Sequence, residues 1–474
     1  MDFNSVEFVG FIAAFFLLWP LVRKNNTARW TYLTLASLVF YSWGYLRFVW
    51  LLLLTGLIDY LASIAMDRYP QRKKLFLWLS LGSNLGVLAL FKYVDFIIFN
   101  VNELMHWSSA GSEPFPYLRL GLPLGISFYT FESMSYSIDV YRGRFKPTYN
   151  ILKFYAFLAL FPRLAAGPIV RASTFVPQLD RYNPITPLKW WNGTRLIVYG
   201  LFKKAVLADQ VSGLVDEAFS ATTVSGSMTY WWFVLLCFGV QIYCDFSGYS
   251  DIGRGIGKWM GLEFPQNFNH PYFSETTTRY WQRWHMSLMA WLRDYVYYPV
   301  AGKDFRNKRR ANIAMMVTLL ASGFWHGAAW NYLMWAGWFA AIMWYERLTG
   351  FQDRLIRRGE ATRFVAMAIS FVLIAPSGIF FRASSVTQAL QAFGRLYSFD
   401  ITSPIEIVKG HVFEAGAVVF VHARSFWFHL KIPPKFNRMR RRMKLYTEPY
   451  ELAALLTMAV FLRGPGHGFV YFVF

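Results

Sequence analysis

Eight histidines occur in the 474 residues: His106, His270, His285, His326, His411, His422, His429 and His467. Only His326 stands in the middle of a long apolar stretch, TLLASGFWHGAAWNYLMW over Thr318–Trp335. An ionisable group at such a place is costly unless it faces a cavity or a partner. Gly323, Gly327, Ala328 and Ala329 flank it and leave room for a substrate. A neutral imidazole, with an ordinary pKa of ~6.5, can take a proton from a hydroxyl without burying a charge at rest. The alternative is a packing histidine that donates to a backbone carbonyl. His285 lies in RYWQRWHMSLMAWLRDY, among Trp281, Trp284 and Trp291, with Arg283, Arg293 and Asp294 supplying charge. It can position a donor or an acceptor, or bond within its own helix, and both readings stay open.

Other clusters say less. The block QIYCDFSGYSDIGRGIG, Gln241–Gly257, carries Asp245 and Asp251. It lacks the oxygen-ligand spacing of a calcium loop and has no adjoining histidine cluster, so no metal is expected. Its GRGIG is too little for a nucleotide loop, and Asp245 reads as a buried partner for an arginine. Cys237 and Cys244 share one apolar segment and read as small buried hydrophobes.

These residues must be positioned by membrane helices. The chain is 55% hydrophobic and 16% charged, where soluble proteins carry about 25% charged residues. Apolar runs recur at Val6–Val22, Trp30–Leu46, Trp50–Met66, Leu75–Phe99, Leu120–Ile138, Tyr230–Tyr243, Ala328–Tyr345, Phe364–Phe381 and Leu452–Leu462. They are continuous rather than alternating, which excludes a β-barrel. The pattern predicts an all-α, polytopic integral membrane protein of about ten to twelve spans, forming one membrane-embedded unit over 1–474.

The net charge of +21 follows the positive-inside rule rather than signalling nucleic acid. Basic loops fall at Arg23–Arg29, Arg68–Lys74, Arg142–Lys153, Lys303–Arg310, Arg347–Arg363 and Lys431–Lys444, and neutral or acidic ones at Asn102–Tyr117 and Asp209–Thr229. That alternation puts the amino terminus outside. The first apolar run, with Arg23 and Lys24 after it, reads as an uncleaved span. Phe154–Ile169, interrupted by Pro162, Arg163 and Pro168, reads as re-entrant. Phe246–Arg310 is too polar for a simple span. Trp281, Trp284, Leu288, Trp291 and Leu292 recur there at helical spacing, opposite Arg283, Ser287 and Asp294, which predicts an interfacial or re-entrant amphipathic helix. Lys435–Lys444 reads as a solvated loop, or as a surface for acidic lipid or an acidic cofactor.

Four blocks, in this order, carry a family resemblance: PLGISFYTFESMSYSIDVYRG (Pro123–Gly143), FPRLAAGPIVR (Phe161–Arg171), Gln241–Tyr272, and WQRWHMSLMAWLRDYVYYP with GFWHGAAW (Trp281–Pro299, Gly323–Trp330). The chain resembles the membrane-bound O-acyltransferases, in their bacterial alginate-acetylation branch. FFRA (Phe380–Ala383) and the closing FVYFVF are similar too. The resemblance implies a ring of helices around a central tunnel, with 244–330 carrying the catalytic motifs. It implies His326 as the essential histidine and His285 as the second, with Asp245, Asn269, Trp281, Arg283, Trp284, Trp325 and Trp330 supporting them or lining the tunnel. Arg163 and His270 depart from the family's commoner residues, as does Tyr298–Gly302.

The reaction so implied moves an acyl group, acetyl above all, from a cytoplasmic thioester to an exported polysaccharide through a periplasmic or extracellular acetyltransferase partner. The donor would be acetyl-coenzyme A, with no cofactor bound, and its phosphates would meet Lys303–Arg310 or Lys435–Lys444. The location would be the bacterial inner membrane, with a periplasmic amino terminus. D-alanyl or other acyl transfer to teichoic acid or peptidoglycan is the alternative within the family. A transporter is the alternative outside it, although no paired repeat is visible in the sequence.

Overall fold

A computed structural model describes residues 1–107, 114–164, 166–220, 224–302, 307–430 and 434–466; side chains are described outside 434–442 and 444–445. Among these residues the secondary structure is helical, without strands. The chain divides into two compact units, Met1–Gly193 with Ile256–Pro265, and Thr194–Gly255 with Gln266–Phe474.

In the first unit, Ser5 and Asn25 cap the Val6–Val22 and Asn26–Tyr45 helices through Phe8 N–H (3.1 Å) and Ala28 N–H (3.0 Å). Asn26–Tyr45 and Val49–Arg68 have 20 residues each, about 30 Å at 1.5 Å per residue, the thickness of a bilayer's hydrocarbon core. Their outward positions are apolar, as at Leu35, Val39, Leu54 and Leu61, while polar groups turn inward. Buried Asp59 accepts from Ser80 Oγ (2.5 Å), Asn84 Nδ2 (2.7 Å) and Ser133 Oγ. A carboxylate buried inside the protein needs such donors.

One apolar run here differs from the sequence expectation. The apolar run Leu120–Ile138 becomes helical only at Ile126, in the Ile126–Tyr141 helix, because Pro123 and the left-handed Gly125 (φ 68°) set a turn before it. The 154–169 segment forms Ile151–Leu158 and Phe161–Leu164, helices of 8 and 4 residues that are too short to cross. Within it Arg163 is buried, pairs with Glu132, and lies 5.1 Å from the Phe157 ring.

In the second unit the helix Pro187–Leu201, most of which belongs here, widens into a π-helical stretch, Phe202–Ala208. It meets the Met228–Met260 helix backbone to backbone. A Cβ on Gly200 would lie 2.6 Å from the Gly248 carbonyl oxygen, and one on Gly248 would lie 2.8 Å from that of Gly200. Small residues permit this approach. It sets Lys204 between Asp245 (2.9 Å) and Asp209 (2.8 Å). Asp245 therefore has a lysine partner, not the expected arginine. Cys237 and Cys244 are both buried and free on the same long helix.

The basic segments 347–363 and 435–444 are not open loops. The first holds the Phe351–Arg358 helix and the start of Glu360–Ile374, and the second opens the Pro434–Phe461 helix. Among the described residues, four helical stretches are long and apolar enough to cross a membrane: Asn26–Arg68 and Pro70–Trp107, each with a break inside it, Met228–Met260 and Glu360–Arg382. The closing FVYFVF and His467 lie outside the described residues.

Candidate active site

Thr318–Trp335 is two helices rather than one. Lys308–His326 ends at the histidine, and Trp330–Thr349 begins four residues later. Gly327 is extended there, and a Cβ on it would sit 2.1 Å from the Tyr332 ring. Gly323 also packs close, its Cβ position being 2.7 Å from the Tyr332 carbonyl oxygen. The two helices therefore fold back on each other and hold the His326 ring inside, 5% exposed. Its neighbours are the rings of Trp325 (4.9 Å), Trp335 (5.0 Å) and Phe381 (5.0 Å), all edge to face. Asn331 Nδ2 donates to the carbonyls of Phe380 (3.2 Å) and Ala383 (2.8 Å), and so presents Phe381 to the histidine.

The second histidine also marks a break. Thr277–Trp281 and Met286–Leu292 are separate helices, and His285 between them is left-handed at φ 42°. The amphipathic helix expected across these residues is thus interrupted, and its tryptophans are buried in protein instead of lying at a surface. A residue with a Cβ adopts this conformation only when its surroundings impose it. Here they do. Asn267 Oδ1 accepts from Ser287 N–H (3.3 Å) and Oγ (2.6 Å), and its carbonyl accepts from Met286 N–H (2.9 Å). Asn267 Nδ2 in turn donates to Ser250 Oγ (3.1 Å). His285 is 1% exposed, 4.6 Å from the Phe246 ring and 5.8 Å from Trp325. Trp325 thus touches both histidines.

Of the residues singled out in the sequence, His285, Trp325 and His326 come together. Trp281 and Trp284 are buried beside them; Trp281 meets Trp335 at 5.6 Å, and Trp284 meets Phe268 at 5.0 Å. Asp245 precedes Phe246 but serves the Lys204 ion pair. Arg283 turns away to the His429 ring (3.2 Å), and Asn269 bonds the Arg283 carbonyl through its backbone N–H (3.0 Å). Trp330 is half-exposed at its helix start. The polar side chain that shapes the turn is Asn267, not Asn269. Sequence reading also passed over Trp335, Phe381 and Lys204. Phe381 had a signal in the FFRA string, whereas Asn267 and Asn269 look alike in NFNHPY.

Glu275 anchors this region from outside the helices. Burial opposes its charge, yet hydrogen bonds from its own backbone, from Arg279 (2.9 Å) and from Arg363 (3.0 Å) hold its carboxyl down at about 2.

Two cavities adjoin the site. One of about 80 Å³ is lined by Trp284, Trp335, Phe381 and Tyr272, and contacts His422. The other, of about 300 Å³, is more polar. Among the expected donor-binding cations, Lys303 and Arg306 lie outside the described residues, as do most side chains of Lys435–Lys444.

The sequence profile of the membrane-bound O-acyltransferase family (MBOAT) matches residues 35–384. The chain is 34% identical to the "Probable alginate O-acetylase AlgI" of Pseudomonas aeruginosa, over 84% of this chain and 76% of that one. It is 36% identical to the protein of the same name from Pseudomonas putida, over 77% and 74%. It is also 31% identical to the "Peptidoglycan O-acetyltransferase" of Helicobacter pylori, over 81% and 76%. The chain belongs to the membrane-bound O-acyltransferase family. This O-acyltransferase carries both buried histidines, and Trp325 between them, inside the family-matched residues. Phe381 and Ala383, which Asn331 ties to the His326 helix pair, fall at the far end of that match.

Proposed function

We propose that this O-acyltransferase takes an acetyl group from acetyl-coenzyme A on the cytoplasmic side of a bacterial inner membrane and passes it toward an exported polysaccharide, through a partner acetyltransferase outside. The observation that carries this reading is the meeting of His326 and His285 around Trp325 in a buried aromatic pocket. His326 Nδ1 or Nε2 takes the proton of the acceptor hydroxyl as its oxygen attacks the thioester carbonyl. The C–S bond then breaks, and the His326 imidazolium gives its proton to the thiolate, which leaves as free thiol. His326 closes its helix, so the partial negative charge of the carbonyl end favours the imidazolium that forms in passing. Aromatic walls exclude water and favour transfer over hydrolysis. His285, held in a strained turn, positions the acyl group or the acceptor.

Deleting the chain from its host is expected to remove alkali-labile acetyl from the exported polysaccharide, read by acetate release. Loss of ester-linked D-alanine with acetyl unchanged would replace the reading with D-alanyl transfer. Orientation has its own check. Cysteines introduced at Gln71 and Arg357, both exposed, should stay unlabelled by a membrane-impermeant maleimide in intact cells and react once the cells are opened. Labelling in intact cells reverses the topology.

A further inference from the structure

Ser322 lies one turn before His326 on the Lys308–His326 helix and is 1% exposed. A buried serine or threonine inside a helix ordinarily bonds the carbonyl one turn back. Ser37 does so with Leu33 (2.6 Å), Thr55 with Leu51 (2.8 Å), and Thr318, on the same helix as Ser322, with Ala314 (2.6 Å). Ser322 does not. Among the described residues its hydroxyl meets no hydrogen-bond partner. A buried hydroxyl left in that state costs folding free energy, and a ligand that completes the bond recovers it.

Its place on the helix says which ligand. At about 100° per residue, Ser322 falls between Trp325 and His326, while Gly323, against Tyr332, falls on the other side of His326. The hydroxyl is therefore on the flank of His326 that carries Trp325, and Trp325 meets His285 (5.8 Å). Side chains lean toward the amino end of their helix, so the imidazole leans back toward Ser322. One turn is ~5.4 Å. That leaves room for a reacting carbon between the two groups, with the attacking oxygen at the imidazole and the carbonyl oxygen at the hydroxyl.

We propose that Ser322 is a catalytic residue of this site, whose O–H donates to the acyl carbonyl oxygen as that oxygen gains negative charge. The inference rests on the acyl-transfer reading above, with His326 as base, and adds the group that holds the charge opposite the base. As the acceptor oxygen attacks the acyl carbon, the carbonyl electron pair moves onto its oxygen, and the Ser322 O–H bonds it there. The pair returns as the C–S bond breaks, and Ser322 keeps its proton throughout. A charge that develops among aromatic walls needs such a donor.

The test joins rate to stability. Full-length wild type and variants are melted in detergent, and membranes carrying them are given acetyl-coenzyme A with the host's exported polysaccharide and envelope extract. Ser322→Ala should lower kcat at least about a hundredfold and leave KM for acetyl-coenzyme A little changed. Its melting temperature should equal or exceed that of wild type, because the resting protein loses no bond. Ser322→Thr, which keeps a hydroxyl there, should recover at least about tenfold of the loss. The rise of kcat with pH, set by the base, should keep its midpoint in Ser322→Ala. A wild-type rate in Ser322→Ala would overturn the assignment and leave the acyl-transfer reading standing. So would a clearly lower melting temperature, which would make the hydroxyl a packing bond, or a displaced pH midpoint, which would make Ser322 a support of the imidazole. A wild type that forms no ester from acetyl-coenzyme A would overturn the acyl-transfer reading itself, and the assignment with it.

Discussion

Changing His326 to alanine is expected to leave the protein at normal membrane abundance and to lower acyl transfer by at least about a hundredfold. An alcohol attacks a thioester slowly unless a base takes its proton, and general-base catalysis is typically worth ~10²–10⁴-fold. The ring contacts Trp325, Trp335 and Phe381, and these apolar walls stay in place when it is removed. His326→Gln should fail to a similar degree, because an amide keeps the hydrogen bonding and volume without the basicity. His285→Ala should be milder and should act through donor or acceptor placement, as a changed KM more than a changed kcat. Ester-linked acetyl on the polymer, normalised to protein in the membrane, reads all three. Near-normal activity in the glutamine variant would make His326 a packing residue.

The second large effect concerns folding. Lys204→Met should cost about 3–5 kcal/mol, because Asp245 and Asp209 would be left buried without their cation. A domain's whole stability is typically about 5–15 kcal/mol. The variant should therefore be scarce in membranes and melt well below wild type in detergent. Lys204→Met combined with Asp245→Asn should recover part of the loss, since one of the two stranded charges is gone. A wild-type melting temperature for the single variant would show that water reaches the triad.

Much of this arrangement is legible in the residues, for reasons that also explain what is not. Long apolar runs announce helices in lipid, and a histidine inside one of them is conspicuous because its placement is costly. His326 is legible on those grounds and on the WHGAAW string, and His285 on the RWH string. The breaks beside them are not. Trp281, Trp284, Leu288, Trp291 and Leu292 keep helical spacing across His285, and nothing local shows that Asn267 reaches in from 18 positions upstream to fold the turn. The stop after His326 had a local mark in Gly327, but only the Tyr332 ring shows why that glycine is required. Asp245 reads from the sequence as an ion-pair partner, but its cation is a lysine rather than an arginine. Its lysine lies on another helix, brought near by glycines 200 and 248, and that meeting is a tertiary event no periodicity records.

The central claim is that the acyl group crosses while its carrier stays, and that His326 is the base. Acetyl-coenzyme A labelled separately in the acetyl group and in the adenine ring can be enclosed with the reconstituted protein in sealed vesicles, with the host's exported polysaccharide and envelope extract outside. The account predicts that acetyl label appears outside as alkali-labile ester while adenine label stays within. It also predicts that His326→Gln vesicles, matched for protein, deliver about a hundredfold less. Both labels crossing together, or ester formation as fast with glutamine at 326 as with histidine, would contradict it.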